Sequence, residues 1–332
     1  MWKKVCAIAV PIVIAVGILV FMLASVWGDI STAIQSVVPL WPLFLLAAVV
    51  LCIICWFVRG FRYKEILRRL GTTVKVPFAS ACIYVSQTAN IVVPARLGDF
   101  VRMFILKHEK ETTYTSGFTS LAAERVYDIL VVALLGLISI LFVLTRIPSE
   151  YAWFTWLICG VLAAGALGIV FLLLIRKAHA KNKILAKVLE IFAQFRTVSA
   201  SPKTFVLLTL SSAAAWMIDV LVCWITALMF GCSVEFMLVV LAVVIGNLVK
   251  AIPITPGGIG TYELAVAVVL GIGGVPAASA TLIAVIDHLI KNLVTVGGGI
   301  ISLAVFGDWS VSLMKRLFKE GKKSIKEEQD GS

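Results

Sequence analysis

The sequence predicts an all-α polytopic membrane protein, and three observations carry that prediction. The 332 residues are 61% hydrophobic with a mean hydropathy of +1.05, whereas soluble domains sit at about 45–50% apolar. The apolar residues fall into runs of the length a helix needs to cross a bilayer, roughly 17–25 residues. Two runs are broken by proline and glycine, at 90–99 and 253–263. Inside a membrane, broken backbone is tolerated only where protein or water satisfies the freed polar groups. The expected architecture is about six transmembrane helices plus two re-entrant helical hairpins, arranged as an inverted-topology repeat.

The charge pattern sets the topology. The net charge is +11, but the basic residues lie between apolar spans, as the positive-inside rule requires, so nucleic acid is not an expected partner. The same residues also suit anionic lipid headgroups. Cys52 and Cys55 have a redox-like spacing, but within an apolar span they read as packing.

The first span is expected over 5–26, with Lys3 and Lys4 at its inner end. Its length marks a retained helix rather than a cleaved signal peptide. A second span, 41–58, precedes a basic cytoplasmic segment carrying Arg59, Arg62, Lys64, Arg68, Arg69 and Lys75. Region 76–106 is only moderately apolar, breaks at Pro94 and Gly98, and ends in a piece too short to cross, so it reads as a hairpin. Spans follow at 115–144 and 153–175. The basic loop 176–203 holds a candidate amphipathic surface helix at 183–196. The span 204–230, a second hairpin 236–272 and a last span 277–306 complete the domain, 1–310. A basic tail, 311–332, follows, and both termini are expected in the cytoplasm, at the cell membrane.

The two halves, 41–144 and 204–306, share this order. Asp99 and Glu263 follow the two breaks, and Glu124 and Asp287 lie in the spans after them, at nearly equal separations. Asn90 and Asn247 precede the breaks. The charge rule has the first hairpin enter from the cytoplasm and the second from outside, the device by which many transporters put substrate at the midplane.

Ionisable residues within spans are functional candidates because burying them in lipid is costly. The first half offers Arg96, Asp99, Arg102, Glu124, Arg125 and Asp128. The second offers Lys250, Glu263, Asp287, His288 and Lys291, and Asp219 lies in a span before them. Glu124 with Asp128, and Asp287 with Lys291, share helix faces at i, i+4. Arginine forks suit phosphate, and His288 is a candidate for proton coupling. Asn90, Pro94, Gly98, Pro253, Pro256, Gly257, Gly258 and Gly260 shape the breaks and complete the proposed substrate-binding set. Two readings of Arg96 with Glu124 or Asp128 stand side by side: ion pairs that lock hairpin to span, or ligands for an anion. No Walker loop, nucleophile elbow or zinc-binding histidine pair is present, and no cofactor or metal is expected.

The motifs Asn90-x3-Pro94-x-Arg96-x-Gly98-Asp99-x2-Arg102, Ala123-Glu124-Arg125-x2-Asp128 and Pro253-x-Thr-Pro256-Gly-Gly-x-Gly260-x2-Glu263 resemble the flippase-like integral membrane family. That family includes the N-terminal membrane domain of lysylphosphatidylglycerol synthases. The resemblance covers about residues 5–310; the family pattern often has Glu where Asp99 stands. It implies movement of an anionic lipid between leaflets. The substrate expected is a phospholipid or a polyprenyl-phosphate-linked lipid, with Arg96, Arg102 and Arg125 holding the phosphate and Glu124, Asp128, Glu263 and Asp287 organising the site or coupling protons. The chain ends soon after its last span, so the soluble lysyltransferase domain is expected to be absent and the protein not to be an enzyme. An accessory subunit supplying lipid to a separate glycosyl- or aminoacyl-transferase, a membrane-embedded transferase, and a small-anion or proton-coupled transporter remain alternatives.

Overall fold

The computed structural model describes residues 2–92, 94–143, 193–199, 201–252 and 254–307, with isolated positions 156, 160, 163 and 191; the side chains of 2–9, 92 and 94–96 are not among them. The regular elements among the described residues are all helices, with no strand among them. Helix α1 (Trp2–Ser25) bends by 58° into a short helical segment that includes α2 (Ile30–Gln35). The long helices α3 (Trp41–Arg69), α6 (Tyr114–Val143), α7 (Pro202–Met229) and α10 (Ala277–Phe306) are each apolar and long enough to cross a bilayer. The predicted span 153–175 and the tail 311–332 lie outside the described residues. So does most of the predicted surface helix; its described end turns inward, with Phe195 and Val198 buried against Ile66, Tyr127 and Leu208.

Both predicted breaks are present. Helix α4 (Val76–Val92) gives way to a 3-10 turn at Pro94–Phe100 and then to α5 (Val101–Lys110). Helix α8 (Phe236–Ala251) ends where Ile252 turns extended (φ −78°, ψ 118°), as the residue before a proline does, and α9 (Thr261–Ile272) follows. At 17, 10, 16 and 12 residues, these four helices fall short of the roughly 20 needed for a crossing.

One boundary differs from expectation. The helix of the second span does not stop near Val58, where the apolar run ends; α3 continues unbroken through the basic stretch to Arg69. No proline or glycine pair interrupts it, and its last turns pack on protein: Arg62, Tyr63, Ile66 and Leu67 are all buried.

The packing partners interchange between the halves. Under the exchange of α3, α4, α5 and α6 with α7, α8, α9 and α10, the α4–α10 packing becomes α8–α6, and α5–α6 becomes α9–α10. The equivalent helices α3 and α7 run antiparallel. Val38 N–H donates to Met229 O (3.0 Å) at one end, Cys55 Sγ approaches Ala215 O (3.3 Å), and Arg62 Nη1 donates to Ser212 Oγ (2.7 Å) towards the other. The outer faces are apolar, with Val13, Phe21, Leu141 and Val305 exposed, whereas Arg62, Arg102, Glu124, Asp128, Glu263, Asp287 and His288 are buried. That polarity suits a protein whose solvent is lipid.

Candidate functional site

Helix α6 supplies Glu124 and Asp128 one turn apart, and α3 brings Arg62 between them. Arg62 Nη1 donates to Asp128 Oδ1 (2.6 Å) and Nη2 to Glu124 Oε1 (3.1 Å). From α5, Arg102 Nη1 donates to Glu124 Oε2 (2.5 Å), with its guanidinium 4.8 Å from the Tyr63 ring centroid. Trp216 Nε1 of α7 donates to Asp128 Oδ1 (3.0 Å). Two fully buried arginines thus share one buried carboxylate, and four helices meet on the pair. Such a group sets geometry more than it adds net stability, because desolvation offsets the Coulomb gain.

The first break is held by Asp99. Its Oδ1 accepts from Asn90 Nδ2 (2.8 Å), Gln87 Nε2 (3.1 Å) and Ser86 Oγ (3.2 Å) on α4, and its Oδ2 lies 3.5 Å from Arg125 Nη2. Gly98 is required because the turn presses on α4: a Cβ there would lie 2.5 Å from Asn90 N and 2.6 Å from Ser86 O.

The second break has different partners. Gly260 has φ +85°, a region that favours glycine. Its N–H donates to Glu263 Oε2 (2.7 Å), which caps α9. Glu263 Oε1 accepts from His288 Nδ1 (2.7 Å), and His288 Nε2 lies 2.9 Å from Lys250 Nζ. A lysine ammonium only donates, so Nε2 accepts and Nδ1 carries the proton. Below, Lys291 Nζ sits 2.9 Å from the Asp287 carboxylate and 3.5 Å from Asp219 Oδ1, and Tyr262 OH donates to Asp287 Oδ2 (2.8 Å).

Between the breaks lies a cavity of about 150 Å³. Its wall includes Asn90 and Ile91 at the end of α4, Thr255–Gly258 of the second break, and the charged residues Arg59, Glu124, Arg125, Asp219, Lys250, His288 and Lys291. Of the residues expected from sequence, Asn90, Glu124, Arg125, Pro256, Gly257, Gly258, His288 and Lys291 line it together. Arg102, Asp128 and Asp287 are pinned in the ion pairs outside its wall, Gly98 and Gly260 pack on neighbouring helices, and Asp99 and Glu263 hold Arg125 and His288. The side chains of Pro94 and Arg96, and all of Pro253, lie outside the described residues. Arg59, Trp56, Trp216 and Tyr262 line the cavity although sequence reading did not select them. Arg62, grouped from sequence with the basic cytoplasmic segment and not with the candidate site, is fully buried on two carboxylates.

A family model described as the lysylphosphatidylglycerol synthase TM region matches residues 8–299. Glycosyltransferase AglD of Haloferax volcanii is 32% identical over 337 residues, covering 88% of this chain and 54% of AglD. The chain therefore spans about half of AglD's length. A UPF0104 membrane protein of Methanocaldococcus jannaschii is 27% identical, covering 70% of this chain and 97% of that protein. Another, from Methanothermobacter thermautotrophicus, is 22% identical, covering 89% and 92%. With the match extending over nearly all of its length, this multi-pass membrane chain belongs to the family of the lysylphosphatidylglycerol synthase transmembrane region.

Proposed function

We propose that the protein moves the headgroup of an anionic lipid, a phospholipid or a polyprenyl-phosphate-linked one, between membrane leaflets, and performs no covalent chemistry. The observation that carries this reading is the cavity between the two breaks, lined by Arg59, Arg125, Lys250 and Lys291. Its size is below the roughly 300–1,000 Å³ of pockets that enclose whole drug-like ligands. A phosphate-bearing headgroup enters it while acyl chains stay in lipid. Antiparallel α3 and α7, with interchanged packing partners, support an inverted repeat, and rocking of one half against the other gives alternating access. The basic turn after α3 and the Lys107–Lys110 end of α5 face the cytoplasm on this reading, and the turns around Asp29 and Glu235 face outward.

The test uses purified full-length chain in vesicles that carry labelled lipids, with leaflet exposure read by a membrane-impermeant quencher. Anionic lipids exchange faster than in protein-free vesicles, zwitterionic ones do not, and Arg125→Gln slows the exchange. Equal rates with and without protein, for every anionic lipid tried, refute the reading.

A second reading draws on the relatives' names. One relative is named a glycosyltransferase and the family carries a synthase's name, which favours a membrane partner that supplies lipid to a separate transferase. Lipid exchange that appears only when such a transferase is co-reconstituted supports that reading over autonomous translocation.

A further inference from the structure

The cations of the interior are not equivalent. Arg62, Arg102 and Arg125 each reach a carboxylate, Lys291 reaches two, and Lys250 donates to His288. Arg59 differs. Among the described residues no carboxylate lies within ion-pair distance of its guanidinium, and its one hydrogen bond runs from Nε to Cys55 Sγ (3.4 Å), a weak acceptor. Asp128 and Asp219 attract it only from longer range. Its Nη groups make no hydrogen bond among the described residues, yet Arg59 lines the cavity.

What holds the side chain is aromatic. The guanidinium carbon lies 5.4 Å from the Trp56 ring centroid and 5.7 Å from that of Trp216. Two indoles fix a cation without using its donors. Trp216 is itself fixed by its hydrogen bond to Asp128. The result is a pre-oriented planar fork on the wall of a cavity also lined by Gln87, Asn247 and Asn292. A fork of that kind matches two oxygens of a phosphate, and immobilising it beforehand lowers the entropy lost on binding. Asp219 and Asp287 share Lys291, which leaves the lysine less available to an incoming anion than Arg59.

We infer that Arg59, clamped between Trp56 and Trp216, is the residue that directly grips a phosphate mono- or diester in the central cavity. The lipid as the source of that phosphate rests on the translocation reading; the grip itself does not.

The full-length chain in detergent micelles is titrated calorimetrically with inorganic phosphate, dibutyl phosphate and a short-chain phosphatidylglycerol. The same variants are assayed for lipid exchange in vesicles. Arg59→Gln is expected to weaken binding roughly 10- to 100-fold, the loss of one charge-assisted contact. Arg59→Lys falls between, because it keeps charge but loses the fork. Lys64→Gln, a basic residue on the same helix outside the cavity, binds as wild type. Binding of the diester and the lipid supports a lipid headgroup as ligand. Binding of inorganic phosphate alone, still dependent on Arg59, supports the grip and assigns it to free phosphate. Wild-type affinity in Arg59→Gln, with an unchanged gel-filtration profile, overturns the inference even if lipid exchange is intact. Should Arg59→Gln aggregate, wild-type affinity in Arg59→Lys overturns the fork. Arg59-dependent binding without lipid exchange removes only the translocation reading.

Discussion

Glu124→Gln is the sharpest perturbation of the buried ion pairs. The substitution keeps size and shape but removes the one carboxylate that Arg102 reaches among the described residues, where Arg102 Nε and Nη2 already lack partners. Arg62 retains Asp128 at 2.6 Å and Ser212 at 2.7 Å, so the damage concentrates on Arg102, which is completely buried. Removing one member of a buried charge pair costs about 3–5 kcal/mol, most of it the penalty of the charge left behind. At roughly 2–4 °C per kcal/mol for chains of 150–250 residues, the midpoint of thermal unfolding in detergent should fall by on the order of 10 °C. The assignment of that loss to Arg102 is checked by a second step. Arg102→Met in the Glu124→Gln background removes the orphaned charge and is expected to recover at least half of the loss, because a hydrophobic replacement of the whole pair is near neutral. A midpoint within about 2 °C of wild type for Glu124→Gln, or no recovery on adding Arg102→Met, would refute the reasoning.

Other consequences are equally open to measurement. Gly98→Ala forces a methyl against Asn90 N and Ser86 O and should cost about 1–3 kcal/mol of overpacking, seen as a midpoint several degrees lower; an unchanged midpoint means the turn does not press on α4. His288→Phe removes the bridge between Lys250 and Glu263 while keeping an aromatic ring beside Tyr262. Lipid exchange is expected to fall, with less effect on midpoint than Glu124→Gln; full exchange activity would place the bridge outside the transport step. In a cysteine-free background, Ser233→Cys should react with an impermeant maleimide from outside intact cells and Thr112→Cys only after permeabilisation. The opposite pattern would invert the topology.

The architecture was legible because its signals are chemical. Pro94, Gly98, Pro256 and Gly260 cannot continue a helix, and the chain turns where they stand. Glu124 and Asp128 stood out because paired carboxylates in an apolar helix need a partner. Their main partner was misread: a run of basic residues after an apolar span carries the positive-inside signal whether or not each residue is solvated. Helical period was the signal available. Cys52, Cys55, Arg62 and Ile66 are all buried, at positions that one face of α3 revisits. Carrying that stripe past Val58 puts Arg62 inside, while Lys64 and Arg68 fall off it towards Glu65. Arg59 was beyond such reasoning, since its two indoles come from α3 itself and from Trp216, far away in sequence.

The two breaks show where pattern stops carrying chemistry. Asp99 and Glu263 occupy matching places just after the two breaks, and the helices around them exchange packing partners. Their work is nevertheless different. Asp99 gathers three donors from α4 and reaches an arginine, so it ties the first break to α6. Glu263 caps its own helix and orients a histidine, so it ties the second break to α10 through a neutral ring and a lysine. The first connection joins fixed charges; the second contains a group that can take up a proton. A frame with near two-fold packing thus holds its two breaks by different chemistry, a carboxylate gathering α4 donors and an arginine at the first, and a helix-capping carboxylate with a histidine and a lysine at the second.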